Sequence, residues 1–325
     1  MSDRLLDVYD AMLLDLDGTV YRGTEAIPGA PETVHSIRAA GKVVRFVTNN
    51  ASRSPGEVAE HLAELGIPAT SNEVCTSAQA AATVLRERLV AGAVVLVVGT
   101  EALADEVRLV GLRAVREASA EVVAVVQGLS KEVGWRDLSE AVLAVRAGAL
   151  WVACNDDATL PTERGELIGN GALVAAVAAA TKARPVVAGK PNRPLMDRAA
   201  AGAERPLVVG DRLDTDIAGA DAAGLDALLV LSGVSTPTEL LQSALRAKYL
   251  AWDVTALVEP VEELEVAGRP EWAITDYLVR WAGAAGERPD SMRLLRALCA
   301  AQVSEPKAGD DTARAALAEL GLPIG

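Results

Sequence analysis

Six residues have types and spacings that could do chemistry: Asp15, Asp17, Thr48, Lys190, Asp211 and Asp216. Asp15 and Asp17 lie two apart in Ala-Met-Leu-Leu-Asp-Leu-Asp-Gly-Thr-Val, an apolar run of strand length that breaks at Gly18. Carboxylates that close repel at neutral pH unless a cation is shared between them or one holds a proton. Magnesium, a hard cation that takes oxygen ligands, is the usual resolution. Asp211 and Asp216 belong to a second acidic loop, Gly-Asp-Arg-Leu-Asp-Thr-Asp-Ile, which follows another apolar run. Phosphoryl transfer needs such a set. One carboxylate can attack phosphorus and divide a hard displacement into two easier ones. A second can protonate the departing alkoxide and then deprotonate water. A metal, an ammonium, a hydroxyl and backbone amides can spread over the equatorial oxygens.

On these grounds Asp15 is the expected nucleophile and Asp17 the expected general acid and base. Asp15, the backbone carbonyl of Asp17 and Asp211 are the expected magnesium ligands, with Asp216 behind them. Thr48 and Lys190 are expected to hold the phosphoryl oxygens, helped by amides around Gly18 and Asn49. A lysine beside carboxylates favours their charged forms, so Lys190 should also keep Asp15 ionised.

The elements that must position these groups alternate strand, loop and helix. Strands are expected at 11–15, 42–47, 73–76, 205–210, 225–231 and 249–254. Helices are expected at 31–40, with Pro31 in the first turn and Gly41 past the end, from a Ser54–Glu57 capping box, and at 77–89. This rhythm predicts a parallel sheet covered by helices, whose ligands gather beyond the carboxyl ends of the strands. Asp15 and Asp17 follow the first strand, Thr48 the second, and Asp211 a later one.

Between 89 and 185 the rhythm continues without acidic loop ends. Strands are expected at 94–98, 122–126 and 150–153, and helices at 101–110, 135–147 and 172–180. This reads as an inserted α/β domain. The expected division is therefore a discontinuous core of residues 1–88 and 186–258, an insert of 89–185, and an appendage of 259–325. The run 259–270 reads as a solvated acidic linker. Beyond it three amphipathic helices are expected, at 272–281 (Ile274, Tyr277, Leu278 and Trp281 at helical spacing), at 289–303 and from 310. Trp135 and Trp151 read as core or interface packing residues, with a place facing the substrate as the alternative.

Composition narrows the partners. Half of the 325 residues are hydrophobic and the formal charge is −14, which argues against nucleic acid or an anionic membrane as partner. Apolar runs long enough to cross a bilayer and a leader-like start are both missing from the expectation. Cys75, Cys154 and Cys299 are scattered, as in the reducing cytoplasm, and His35 and His61 lie outside any nucleophile motif.

In order, Asp15-Leu16-Asp17-Gly18-Thr19, Thr48, Lys190 and Gly210-Asp211…Asp216 resemble the four motifs of the haloacid dehalogenase superfamily. Thr48-Asn49-Asn50 and Gly189-Lys190-Pro191 are similar to its NagD-like, 4-nitrophenylphosphatase subfamily. The resemblance covers roughly residues 8–258. It implies an α/β, Rossmann-like core with a C2-type cap between the second and third motifs, where the insert falls. Asn155, Asp157, Pro161, Gly169, Asn170 and Gly171 match the cap signature, with Cys154 standing where the family usually has Thr. Asn155 and Asp157, on a loop after a cap strand, could reach the organic part of a substrate. Asp17, Asp211 and Asp216 are kept, which points to a phosphatase rather than a dehalogenase. The resemblance implies a cytoplasmic, Mg2+-dependent phosphomonoesterase for a small phosphorylated metabolite, and a homodimer through the cap. The whole layout, with its C-terminal tail, is most similar to actinobacterial-type glycerol 3-phosphate phosphatases. Phosphoglycolate, pyridoxal phosphate and nucleotides remain open as substrates. Transfer to a second acceptor, as in a mutase, and a regulatory or binding role for the tail remain open too.

Overall fold

The structure is a computed structural model that describes residues 3–162, 164–284 and 289–322. The start at Met1 and Ser2 and parts of the expected tail, 285–288 and 323–325, lie outside the described residues. The chain divides into two compact units, residues 1–44 with 203–325, and residues 45–202.

The first unit carries parallel strands in the order Tyr249–Ala251, Asp226–Val230, Pro206–Gly210, Ala11–Asp15. The register sets Leu14 opposite Val209, Gly210 opposite Leu229 and Val230 opposite Ala251, so the carboxyl ends of the strands lie together. Leu13, Leu14, Val208, Val209, Leu228 and Leu229 are buried. Such near-continuous apolar strands are what a parallel sheet covered on both faces requires. Helix Ala30–Ala39 starts with Pro31 in its first turn and ends one residue before the position expected. Helix Pro237–Gln242, opened by a Thr236–Glu239 capping box, is short enough that periodicity alone does not reveal it.

Two expectations for the C-terminal segment fail. Residues 259–270 are not a free linker, although Glu259, Glu262 and Glu265 are exposed as expected of a solvated acidic run. Val261–Leu264 is a helical turn with Leu264 buried, and Val261 N–H donates to Asp3 O at 2.9 Å while Leu5 N–H donates to Glu259 O. Arg269 Nη2 donates to the carbonyls of Glu262, Glu263 and Glu265, so the acidic run wraps a guanidinium.

Nor is 272–281 a helix. It is an antiparallel hairpin, Trp272–Thr275 with Leu278–Trp281, extended in parallel by Lys307–Ala308. Trp272 faces Trp281 across it, rings edge to face with centroids 4.9 Å apart. The apolar residues that fit helical spacing also alternate, and β-branched and aromatic side chains favour the pleated reading. The turn uses Asp276 and Tyr277 at φ 48° and 69°, a two-residue loop without the glycine that would have signalled it. Helices Ser291–Ala300 and Asp311–Glu319 do form, capped by Asp290 and Asp310. Arg296 is buried and its Nε donates to Leu250 O at 2.9 Å, which fastens the first of them to the outermost strand.

The second unit begins within strand Val43–Thr48, which pairs in parallel with Val74–Thr76. Helix Pro55–Glu64 opens with the Ser54–Glu57 capping box read from the sequence, and helix Ser77–Arg88 with a Thr76–Gln79 box. A five-stranded parallel sheet follows, in the order Val186–Val187, Leu150–Ala153, Val122–Gln127, Val94–Val98, Arg113–Val115. Its edge strands, two and three residues long, are too short to stand out in the sequence. Helices Trp135–Arg146 and Asn170–Thr181 cover it over a core of Leu96, Val98, Val125, Trp151 and Val177. Each such side chain stabilises the unit by about 1.5–3 kcal/mol through its burial. Trp151 is buried in this core, and Trp135 is 84% exposed, which takes it out of the core and leaves the interface and substrate-facing readings open. A hairpin, Thr159–Thr162 with Gly165–Ile168, leaves the sheet. Among the described residues no helix is long and apolar enough to cross a membrane.

Candidate active site

The first unit gathers acids at the carboxyl ends of its strands. Asp15 closes its strand, and Asp211 follows Gly210 at the end of the neighbouring one. Oxygens of Asp15, Asp211 and Asp216 all lie within 4.8 Å of one another, with Asp211 and Asp216 buried. Two full charges at that spacing repel by about 3 kcal/mol at an effective dielectric constant of 20. The packing around them is nevertheless built for closeness. Gly18, at φ +89°, brings its backbone so near that a Cβ would lie 2.4 Å from Asp211 Oδ2. A Cβ on Gly233 would lie 1.9 Å from the same oxygen, and one on Gly210 2.5 Å from Asp216 Oδ2. Hard carboxylate oxygens converging in a space kept clear by three glycines fit a divalent cation of the magnesium or calcium kind.

Backbone donors orient the acids. Val234 N–H donates to Asp211 Oδ2 at 2.6 Å, and Arg212 N–H to Asp216 Oδ2 at 3.1 Å. Asp214, in the same loop, turns away. Arg212 grips it with two bonds of 3.0 and 2.8 Å, and that pairing outweighs burial to hold its carboxyl below the usual range. The π-type turn Leu213–Ile217 is what sends Asp214 and Asp216 in different directions. Asp17 lies on the same first loop and is exposed.

The loop 232–235 was not among the sequence candidates. Ser232 Oγ donates to Gly18 O at 2.6 Å, and Ser235 Oγ accepts from Leu213 N–H at 3.0 Å. Arg22, from the hairpin after the first loop, donates to Ser232 O. The available signal was position: Ser-Gly-Val-Ser follows a buried parallel strand directly.

The second unit gathers the other candidates around Asn49. Thr48 ends its strand, and its Oγ1 accepts from Asn50 N–H at 3.1 Å. Lys190 is 2% exposed, and its Nζ donates to Val47 O at 3.2 Å. Lys190 N–H donates to Asn49 Oδ1 at 2.8 Å, and Asn49 Nδ2 returns a bond to Lys190 O at 3.0 Å. Asn49 Nδ2 also reaches Asp157 Oδ2 at 3.2 Å, and Asn155 Nδ2 donates to Asn49 O at 2.6 Å. Asn155 and Asp157 thus meet the Thr48 loop. Ser77, whose Oγ donates to Asn49 O, and Asn170, whose Nδ2 donates to Asn155 O at 2.7 Å, complete the set. Ser77 opens a helix, where a serine ordinarily reads as a cap. Cys154 is fully buried, and burial pushes its thiol above the ordinary range.

A parallel sheet with a clustered acid triad at its carboxyl end defines a hydrolase of the phosphoryl-handling kind. The chain belongs to the haloacid dehalogenase-like hydrolases, whose family models match residues 12–113 and, as the HAD-hydrolase-like part, 187–257. It is 53% identical over 270 residues to D-glycerol 3-phosphate phosphatase of Mycobacterium tuberculosis, a match covering 82% of this chain and 76% of that one. The crystal structure of a glycerol phosphate phosphatase from the same organism in complex with magnesium superposes with a TM-score of 0.93. It shows 47% identity and covers 99% of this chain and all of its own. The acid sugar phosphatase of Staphylococcus saprophyticus is 36% identical, covering 78% of this chain and 99% of its own.

Proposed function

We propose that the chain is a magnesium-dependent phosphatase that hydrolyses glycerol 3-phosphate through an aspartyl-phosphate on Asp15. The observation that supports the chemistry is the cluster of Asp15, Asp211 and Asp216, whose oxygens lie close enough to share a hard cation and which offers a nucleophile beside it. The substrate rests on the 53% identical relative.

In this reading Asp15, the carbonyl of Asp17 and Asp211 hold Mg2+, with Asp216 behind or beside them. When bound there, the cation would offset charge on the phosphoryl oxygens and favour the ionised form of Asp15. Asp15 Oδ forms a bond to phosphorus as the ester P–O bond breaks, and Asp17 gives its proton to the departing alkoxide. Asp17, now a carboxylate, takes a proton from water. The resulting hydroxide displaces phosphate from Asp15 and restores it. Thr48, Lys190 and the amides near Gly18 and Asn49 hold the equatorial oxygens. Asn155 and Asp157 act on the cap side of the substrate.

The same reading takes residues 1–88 and 186–258 as core, 89–185 as cap and 259–325 as appendage. It takes the chain as a cytoplasmic protein, pairing through its caps. A phosphate-release screen of small phosphoesters with Mg2+, run beside Asp15→Asn, tests it. Glycerol 3-phosphate should show much the highest kcat/KM, the quantity that measures discrimination. A sugar phosphate in first place would instead align the chain with the acid sugar phosphatases. A flat profile would discard the substrate assignment.

A further inference from the structure

We infer that the side chain of Asn49 is a positioning residue for Lys190, a two-point clamp that fixes the direction in which the lysine leaves the backbone. The inference rests on the phosphatase reading, in which the Lys190 ammonium holds phosphoryl oxygens.

The clamp has the form of a peptide pair. Asn49 Oδ1 accepts from Lys190 N–H at 2.8 Å, and Asn49 Nδ2 donates to Lys190 O at 3.0 Å. A single bond would leave the backbone free to pivot, whereas two bonds to the same residue fix its rotation. Only a carboxamide presents a donor and an acceptor side by side in this way. The other end of the lysine is tied to the same strand end, since Nζ donates to Val47 O at 3.2 Å. Lys190 is therefore held by residues 47 and 49, on either side of Thr48. Thr48 and Lys190, the two groups read as phosphoryl ligands, are thereby held in a fixed relation by the clamp points on either side of Thr48.

Asn49 is itself immobilised. Its carbonyl accepts from Ser77 Oγ at 2.5 Å and Asn155 Nδ2 at 2.6 Å, and its Nδ2 also meets Asp157 Oδ2 at 3.2 Å. The approach depends on a missing side chain. A Cβ on Gly189 would lie 2.6 Å from both Asn49 Oδ1 and Cys154 O. A buried ammonium has few ways to find a new partner after it shifts, so small errors in its direction matter. Misplacement of a catalytic group by about 1 Å can cost about 100-fold in rate.

The test is steady-state kinetics on glycerol 3-phosphate with Mg2+, with thermal melting alongside, for wild type, Asn49→Ala, Asn49→Asp and Gly189→Ala. Asn49→Ala should melt near wild type, keep KM within about threefold and lose roughly 30- to 100-fold in kcat. Asn49→Asp should lose more, because it faces the Lys190 carbonyl and the Asp157 carboxylate without a donor. Adding Asp157→Asn should return about tenfold of that loss, since a donor is restored across the pair. A merely structural residue would lower the melting temperature without this kcat-selective pattern or its rescue. Wild-type kcat in folded Asn49→Ala, or a loss confined to KM, overturns the clamp. If Asn49→Ala does not fold, Gly189→Ala decides, because it keeps both partners and forces them apart: a kcat-selective loss supports the clamp and wild-type kcat overturns it. Wild-type protein inactive on every phosphoester would instead overturn the phosphatase reading beneath it.

Discussion

Both ends of the first unit's sheet carry acids, and the two ends treat them in different ways. At the amino end, Asp226 begins its strand beside a buried Tyr9 and Tyr249. Tyr9 Oη donates to Asp226 Oδ2 at 2.6 Å, and Lys248 Nζ donates to the same oxygen at 2.8 Å. Arg205 lies over the Tyr9 ring, and its backbone N–H and that of Glu204 donate to the Asp10 carboxylate. Each acid there has a cation or two donors at hand. At the carboxyl end, Asp15, Asp211 and Asp216 converge within 4.8 Å of one another, and glycines clear the space between them. The difference teaches which acids serve the fold and which are gathered for a site: at the amino end each carboxylate is matched to its own donors, while at the carboxyl end three carboxylates share one small space that suits a hard cation.

The contrast can be broken most forcefully at Asp15. Asp15→Asn should lower kcat by about 10⁴-fold or more, as loss of a nucleophile does. Its melting temperature should hold or rise, because one of three repelling charges is gone. Scanning calorimetry beside the activity assay checks both, and a clear drop in melting temperature would show that the acid end is not strained. Next in size is the metal. Chelation should abolish turnover, and Mg2+ at a hundred times its Kd should stabilise the protein by about 2.7 kcal/mol. Asp211→Asn should erase that Mg2+-dependent rise in melting temperature; its survival would move the cation elsewhere.

At the other end the signs reverse. Tyr9→Phe should destabilise by about 1 kcal/mol, the net worth of a buried hydrogen bond, and leave kcat unchanged. Denaturant titration reads the first and the phosphatase assay the second. The smallest effect concerns pH. Burial opposes ionisation of Asp226, but its bonds from Lys248 and Tyr9, with the Lys248 and Arg205 charges, bring its pKa below the ordinary carboxylate value. An acid depressed on folding contributes stability above its unfolded pKa and loses it as pH falls through the folded one. Stability should therefore decline below about pH 4, and Asp226→Asn should make that acid limb shallower. An unchanged limb in the variant would remove Asp226 from the account.

Most of the acid end was legible in the sequence because its chemistry is written in residue types at strand ends. Asp15 and Asp211 each follow an apolar run, Asp17 and Asp216 lie in the loops that start there, and parallel sheets bind ligands at such ends. What escaped was the supporting layer, the 232–235 loop and Ser77, because a serine in a loop or at a helix start has a bland explanation ready. The bonds of Asn155 and Asp157 to Asn49 were not legible, since contacts across 106 and 108 residues leave no local trace. The fold was legible where periodicity and punctuation agreed, as at Ser54–Glu57. It was misread at 272–281, where a ten-residue run fits both periods and the turn carries Asp-Tyr instead of glycine.

The buried Arg296 has a consequence for how the chain behaves toward its neighbours. Strand Tyr249–Ala251 is the last of its sheet, and a bare outermost strand invites pairing with another molecule. Here Glu265 bridges to Tyr249 while the Arg296 guanidinium occupies the Leu250 carbonyl. The C-terminal residues thereby act as a lid on an otherwise adhesive seam, and a chain cut short before residue 259 should gain a tendency to form higher-order species that light scattering would register.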